Sequence, residues 1–246
     1  MASNKELLKK ILGELPLTAE VYQLLQQSDR PLPNHFSLRN IRKVLPEAVA
    51  AVQKSCAQYP AGKNVFIFAS THYWLEHGVI TGLALSGLGH DVTIGYYPYG
   101  RWDFNSPQFD VRRQSVYSAT VLRPASAVMN FENLLHTHSS FSLLPEALQQ
   151  AVDQVTDFDY MYAFQTEEVN REDPFYLFRH ERNLHAAKSL LTYLRSLKPE
   201  VAIIPNGTIL EFGIAYKVCG YLKIPTTTYE FSDKRHSMWL AHNQEI

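Results

Sequence analysis

Four short apolar or β-branched runs constrain this chain more than any other feature. They fall at 65–69 (Val-Phe-Ile-Phe-Ala), 92–97, 201–204 and 226–231. An apolar run without alternation marks a strand covered on both faces, as a parallel sheet requires. Residues 79–88 carry helical apolar spacing and end at Gly89, a helix C-cap position. Strand, helix and strand thus follow within about 35 residues, the size of one βαβ unit. The pattern recurs later. Asp173-Pro174 opens a long helix carrying Phe175, Phe178, Leu184, Ala187, Leu190, Leu191 and Leu194, and Lys198-Pro199 ends it. The run 201–204 follows, then the turn Pro205-Asn206-Gly207-Thr208, a helix over 209–222 and the run 226–231. This alternation predicts a three-layer α/β domain over 61–246 with a mostly parallel sheet and right-handed crossovers.

Residues 1–60 read as an N-terminal helical extension that packs on this core or offers a partner-binding face. Leu7, Leu8, Ile11, Leu12 and Leu15 fall at helical spacing, and Val21, Leu24 and Leu25 follow Thr18, an N-cap type. The two prolines of Arg30-Pro-Leu-Pro-Asn34 interrupt regular structure, and Pro46 suits the first turn of a helix reaching about Gln58. Between the two clear halves, 99–114 reads as a polar aromatic loop, 116–122 as a strand, 145–155 as a helix and 159–164 as a buried strand. The aromatic residues between Tyr96 and Phe104 suit either a cleft or an oligomer contact. From Glu146 to Asp173 eight acidic residues stand against one basic, which reads as a solvated face.

Composition narrows the classes. With 46% hydrophobic and 19% charged residues the chain has ample core and is not disordered. Its 23 basic against 24 acidic side chains give no overall attraction for nucleic acid or an anionic membrane. Two distant cysteines, Cys56 and Cys219, give no disulfide framework, so a cytoplasmic setting is expected. No apolar stretch approaches the roughly 20 residues of a membrane span. Residues 1–10 lack the apolar core of a secretion leader.

Ligands of open α/β sheets collect beyond the carboxyl ends of the strands, where strand order reverses. Three loops therefore matter: 70–78, 205–208 and 231–236. The first offers Ser70, Thr71, His72, Tyr73, Trp74, Glu76 and His77. A histidine at a strand end suits a general base acting on a hydroxyl, or simply a hydrogen-bonded surface residue. Tyr73 and Trp74 suit stacking on a sugar face, or a lid over the core. In the second loop Asn206 both donates and accepts, Gly207 permits a sharp turn, and Thr208 sits at a helix start. An Asn-Gly turn needed for geometry alone reads equally well. Glu211 is explained by its place in the first helical turn. Glu230, ending a strand, needs a partner or a ligand, and Arg235 or His236 suits a structural ion pair.

Several signals are missing. There is no phosphate-cradling Gly-x-x-x-x-Gly-Lys, no Gly-x-Gly-x-x-Gly after the first strand and no Gly-x-Ser-x-Gly elbow. His136 and His138 stand two apart without a nearby acidic set, so no metal is expected.

Two stretches carry a resemblance. His77-Gly78-Val-Ile-Thr-Gly-Leu-Ala-Leu-Ser-Gly-Leu-Gly-His90-Asp-Val-Thr-Ile94 resembles the first helix and second strand of the N-terminal half of GT-B glycosyltransferases. Leu197-Lys-Pro-Glu-Val-Ala-Ile-Ile-Pro-Asn206-Gly, continuing to Leu222-Lys-Ile-Pro225-Thr-Thr-Thr-Tyr-Glu230, is similar to that family's Lys-Pro-Asp strand and Gly-Ile-Pro strand. The two cover about a third of the chain, and the N-terminal helices and the middle match neither. The resemblance implies a Rossmann-like domain that binds a sugar or glycan acceptor, facing a C-terminal domain that binds the nucleotide-sugar donor. The chain ends at Ile246, about where such a first domain hands over to the second, so it is expected to be inactive alone and to bind no cofactor itself. The implied activity is sugar transfer to an acceptor hydroxyl in surface polysaccharide synthesis. His72 would be the base, and Thr71, Tyr73, Asn206, Gly207, Thr208 and Glu230 would hold the acceptor. The loop after the first strand is glycine-rich in many members and is Ser70-Thr71-His72-Tyr73 here. Peripheral membrane association and oligomeric state stay open. The competing readings are a non-catalytic binding or interaction module of the same fold, and a small complete enzyme such as a sugar-nucleotide epimerase, against which the missing glycine fingerprint weighs.

Overall fold

The strand expected at 65–69 is β1 (Asn64–Ser70), and in the computed structural model it forms the centre of the sheet. β2 (Asp91–Tyr97), β3 (Asn130–Asn133), β4 (Val201–Pro205), β5 (Thr226–Phe231) and β6 (Met238–His242) complete six strands in the order β3-β2-β1-β4-β5-β6. The first five run parallel, with Val65 opposite both Val92 and Val201, and β6 is antiparallel at the edge. The structure describes residues 4–26, 32, 36–139 and 141–246. Apart from the buried Leu32, the Arg30–Asn34 break lies outside them.

Successive strand residues point to opposite faces, and the burial of β1 follows that rule. Phe66 and Phe68 join Ala202, Ile204 and Tyr229 in one core; Val65, Ile67 and Ala69 join Val92 and Ile94 in the other. The helices are α1 (Asn4–Glu14), α2 (Thr18–Leu25), α3 (Arg39–Cys56), α4 (His72–Gly87), α5 (Gln108–Leu122), α6 (Glu146–Phe164), α7 (Pro174–Leu197) and α8 (Leu210–Tyr221). The first core is closed by Val152 and Val155 of α6, Leu190 and Leu194 of α7, and Ile214 and Val218 of α8. Ile41 and Leu45 of α3, Leu75 and Val79 of α4, and Val121 of α5 close the second. Helices on both faces of a mostly parallel sheet make this a three-layer, Rossmann-like α/β fold. Among the described residues no helix is long and apolar enough to cross a membrane.

The structure corrects the middle of the chain. Residues 116–122 belong to α5 and 159–164 to α6; neither is a strand. In α6 the buried residues Leu148, Val152, Val155, Thr156 and Asp159 recur every three or four positions, a helical stripe that the local aromatic run obscures. β3, four residues of mixed polarity, carries no apolar run to announce it, and β6 (Met-Trp-Leu-Ala-His) is an exposed edge strand whose apolar run follows the last expected strand. Pro46 lies inside α3, which begins at Arg39. Thr18 is the first residue of α2 and Leu17 its N-cap, because the Thr18 hydroxyl turns back to the Leu15 carbonyl at 3.0 Å.

α1 and α2 lie against α5 largely through polar contacts. Lys9 pairs with Asp110 at 2.5 Å and Arg112 with Glu20, while Arg113 reaches Gln23 and Gln26. Ala19 is buried and Tyr22 packs on Phe109, but Leu7, Leu8, Ile11, Leu24 and Leu25 are all more than half exposed. α3 shares the second core with the sheet.

Candidate functional site

β1 and β4 are parallel neighbours, and the strand order reverses between them, so the turns that follow open together at the carboxyl end of the strands. A cleft of about 430 Å³ lies there, lined by Tyr73 and Trp74 of α4, Trp102, Tyr162, Asn206 and Ile209, and Glu230 and Phe231 of β5.

The floor is built on Asn206. Its backbone sits in the left-handed region at φ 57°, which asparagine tolerates better than most residues. Its Oδ1 accepts the Thr208 N–H at 2.8 Å and the Ile209 N–H at 3.2 Å; its Nδ2 donates to Glu230 Oε2 at 3.3 Å. Gly207 follows at φ 93°, where an added Cβ would meet Thr228 Cγ2 at 2.8 Å. The Thr208 hydroxyl donates to the Ile246 carbonyl at 2.9 Å.

The walls are aromatic. Trp74 stacks on Phe231 at 4.9 Å and 10°, and Trp102 leans on Tyr162 at 5.8 Å. Beside Trp74, His77 Nδ1 lies 3.2 Å from the Tyr229 hydroxyl, and burial lowers the pKa of its ring.

A buried ionic network supports this arrangement. Arg179 is fully buried and donates to Asp159 Oδ2 and Glu211 Oε1, each at 3.0 Å. Arg182 Nε also lies 2.9 Å from Glu211 Oε1, at ion-pair distance but out of line for a hydrogen bond. The Ser70 hydroxyl donates to Glu211 Oε2 at 3.2 Å, and Asp159 Oδ1 accepts the Leu210 N–H at the start of α8 at 2.6 Å. Both arginines also clamp the loop that carries Trp102: Arg179 donates to the Trp102 carbonyl at 3.3 Å and Arg182 to the Arg101 carbonyl at 3.0 Å. Burial works against the Glu211 carboxylate, but Arg179 and Arg182 hold its pKa down to about 2. At Asp159 burial prevails and the pKa rises despite Arg179. The Arg182 guanidinium lies 3.5 Å from the centre of the Tyr99 ring, and burial pushes the Tyr99 hydroxyl up to about 12. A second cavity of about 210 Å³ lies between Tyr99, Phe104, Phe178 and His185.

Of the residues expected from sequence, Tyr73, Asn206 and Glu230 meet in the cleft. Thr71, His72, Gly207 and Thr208 do not line it. The expected loop at 70–78 is a single linking residue, Thr71, because α4 already starts at His72. Thr71 is buried at φ 66° and ψ 161°, a region seldom adopted outside glycine. The His72 ring packs edge-on to Phe36 at 5.9 Å and to Tyr73 at 5.5 Å. Glu230 is held by Asn206 and by the Phe231 N–H at 2.9 Å, not by Arg235 or His236. Glu211 is paired in the core, so its helix position does not explain it alone. The acidic middle is only partly a solvated face, because Asp159 is wholly buried.

Sequence reasoning missed Tyr162, Asp159, Arg179 and Arg182, and left Trp102 undecided between cleft and contact surface. One signal was present: Arg179, Arg182 and Asn183 continue the stripe of Ala186, Leu190 and Leu194 along α7, and polar residues on a buried helix face need partners. Among the described residues no cluster of three or more His, Cys, Asp or Glu side chains is placed to hold a metal ion.

No model of a known protein family matches the chain, and no curated protein is similar to it.

Proposed function

We propose that the cleft binds a sugar and that this chain is the acceptor-side domain of a glycosyltransferase of the two-domain kind, acting in surface polysaccharide synthesis. The observation that carries the reading is the Asn206–Glu230 pair on the floor between the aromatic walls of Trp74, Trp102 and Tyr162. Ring faces suit the C–H face of a pyranose, and an amide beside a carboxylate suits neighbouring hydroxyls, donating to one and accepting from another. In this reading the group that meets the acceptor hydroxyl is Glu230. His72, packed on Phe36 and Tyr73, steadies the start of α4. We place the activity in the cytosol, where the free thiols of Cys56 and Cys219 persist.

The test is ligand-observed NMR of the purified chain with a panel of methyl glycosides. The expected result is saturable binding that Trp102→Ala and Tyr162→Ala each weaken by about tenfold, in keeping with the loss of one stacking face. Circular dichroism checks that both variants keep the fold. Absence of saturable binding across the panel would overturn the reading.

A further inference from the structure

The charges around the cleft are unevenly spent. The two arginines behind its floor are matched by Asp159 and Glu211 at 2.9–3.0 Å, so that cluster of two cations and two anions presents no net charge. The amides leading into α8 are also taken: those of Thr208 and Ile209, which precede it, by Asn206, and that of Leu210, its first residue, by Asp159. What remains is Glu230. Among the described residues no Lys, Arg or His lines the cleft, and its other walls are aromatic or aliphatic apart from Asn206. The start of α4 opens beside Tyr73 without a side-chain cap, but a helix dipole contributes about half a charge there against the whole charge of Glu230.

From this we infer that the site selects its sugar by charge: Glu230 rejects acidic and phosphorylated sugars and admits neutral ones, and a protonated amino sugar is favoured further. This rests on the reading of the cleft as a sugar site. A ligand carboxylate or phosphate held among these rings would sit beside the like charge of Glu230 without a cation from the lining to answer it. A protonated amine would meet the same carboxylate and the faces of Trp74, Trp102 and Tyr162.

The probes are three methyl glycosides of one ring configuration, bearing a neutral hydroxymethyl group, a carboxylate or a protonated amine: methyl glucoside, methyl glucuronide and methyl glucosaminide. The galacto series is run alongside. Affinities are measured by calorimetry on the full chain. The glucuronide is expected to bind at least about tenfold more weakly than the glucoside, and the glucosaminide at least as tightly as the glucoside. Glu230→Gln keeps an acceptor oxygen and the contact to Asn206, and is expected to close the neutral-to-acidic gap to within about threefold. Raising the salt concentration on the unaltered protein is expected to narrow the same gap, which provides a readout independent of any variant. Equal or tighter binding of the glucuronide overturns the charge filter and leaves the sugar reading standing. A gap that survives both Glu230→Gln and high salt overturns the role of Glu230. No binding of any of the six glycosides overturns the sugar reading and the filter with it.

Discussion

Arg179 Nη1 donates to Glu211 Oε1 at 3.0 Å, and both side chains are shut away from solvent, which ties the second turn of α7 to the first turn of α8. An ion pair in this setting is costly to break because the surviving partner is left buried and unanswered. Glu211→Gln is therefore expected to destabilise the fold by about 3–5 kcal/mol, whereas a paired replacement of Arg182 and Glu211 by Met and Leu, which leaves Arg179 matched by Asp159, costs much less. Urea unfolding of the single and double variants checks this. Equal losses for the two would show that the pair carries no special coupling.

The same network has a pH signature. The stability contributed by ionised Glu211 is present above its unfolded value of about 4.3 and is lost as pH falls toward about 2. Asp159 works in the opposite direction. Burial raises its folded pKa, so the folded chain takes up that proton at higher pH than the unfolded chain, and this contribution fades as pH rises. The stability gap between the unaltered protein and Glu211→Gln should shrink as pH is lowered through this acid window. Denaturant titrations across a pH series measure it, and a gap that stays constant would remove Glu211 from the acid response.

The parts of the fold visible in the sequence were those where one residue pattern served one purpose. β1 is apolar from Val65 to Ala69 because both of its faces are covered, and α7 has Pro174 at its start and a long apolar stripe behind it. The parts that stayed hidden were those where pattern and purpose diverged. Asp159 to Phe164 looks like a strand locally, and only the longer spacing from Leu148 shows the helix. At the site, Asn206 and Glu230 were accessible to reasoning because strand ends of a parallel sheet are where ligands collect. Trp102 and Tyr162 arrive from segments far apart in the chain, on a loop clamped by arginines and on the end of α6, and nothing in their own neighbourhoods links them.

Gly95 makes a different kind of demand. It stands in β2 opposite Phe68, and a Cβ added there would lie 2.5 Å from the Phe66 ring and 3.3 Å from Leu134. Gly95→Ala is expected to destabilise by about 1–3 kcal/mol through overpacking of a fully buried ring. Adding Phe66→Leu should recover part of that loss, so that the double variant is more stable than the sum of the two single changes implies. Thermal unfolding of the four proteins in the cycle gives the coupling. Simple additivity would mean that the two side chains do not compete for the same space.

Asn206 has two separable duties, and one substitution divides them. Its Oδ1 closes the turn by accepting from Thr208 and Ile209, while its Nδ2 faces Glu230 Oε2 at 3.3 Å. Asn206→Asp keeps an oxygen for the turn but sets a second carboxylate against Glu230. Two charges about 4 Å apart at a partly buried surface repel by about 4 kcal/mol, enough for the pair to hold a shared proton in the folded state. That folded pKa is raised, so the variant's deficit starts above the unfolded carboxylate value of about 4, is small near pH 5 and grows progressively as pH rises to 8. Asn206→Ala removes the turn acceptor instead, and its loss of stability should be the same at both pH values. Thermal unfolding of the two variants at pH 5 and pH 8 separates these outcomes. A pH-independent loss in Asn206→Asp would mean that the contact with Glu230 is incidental and that the residue serves the turn alone.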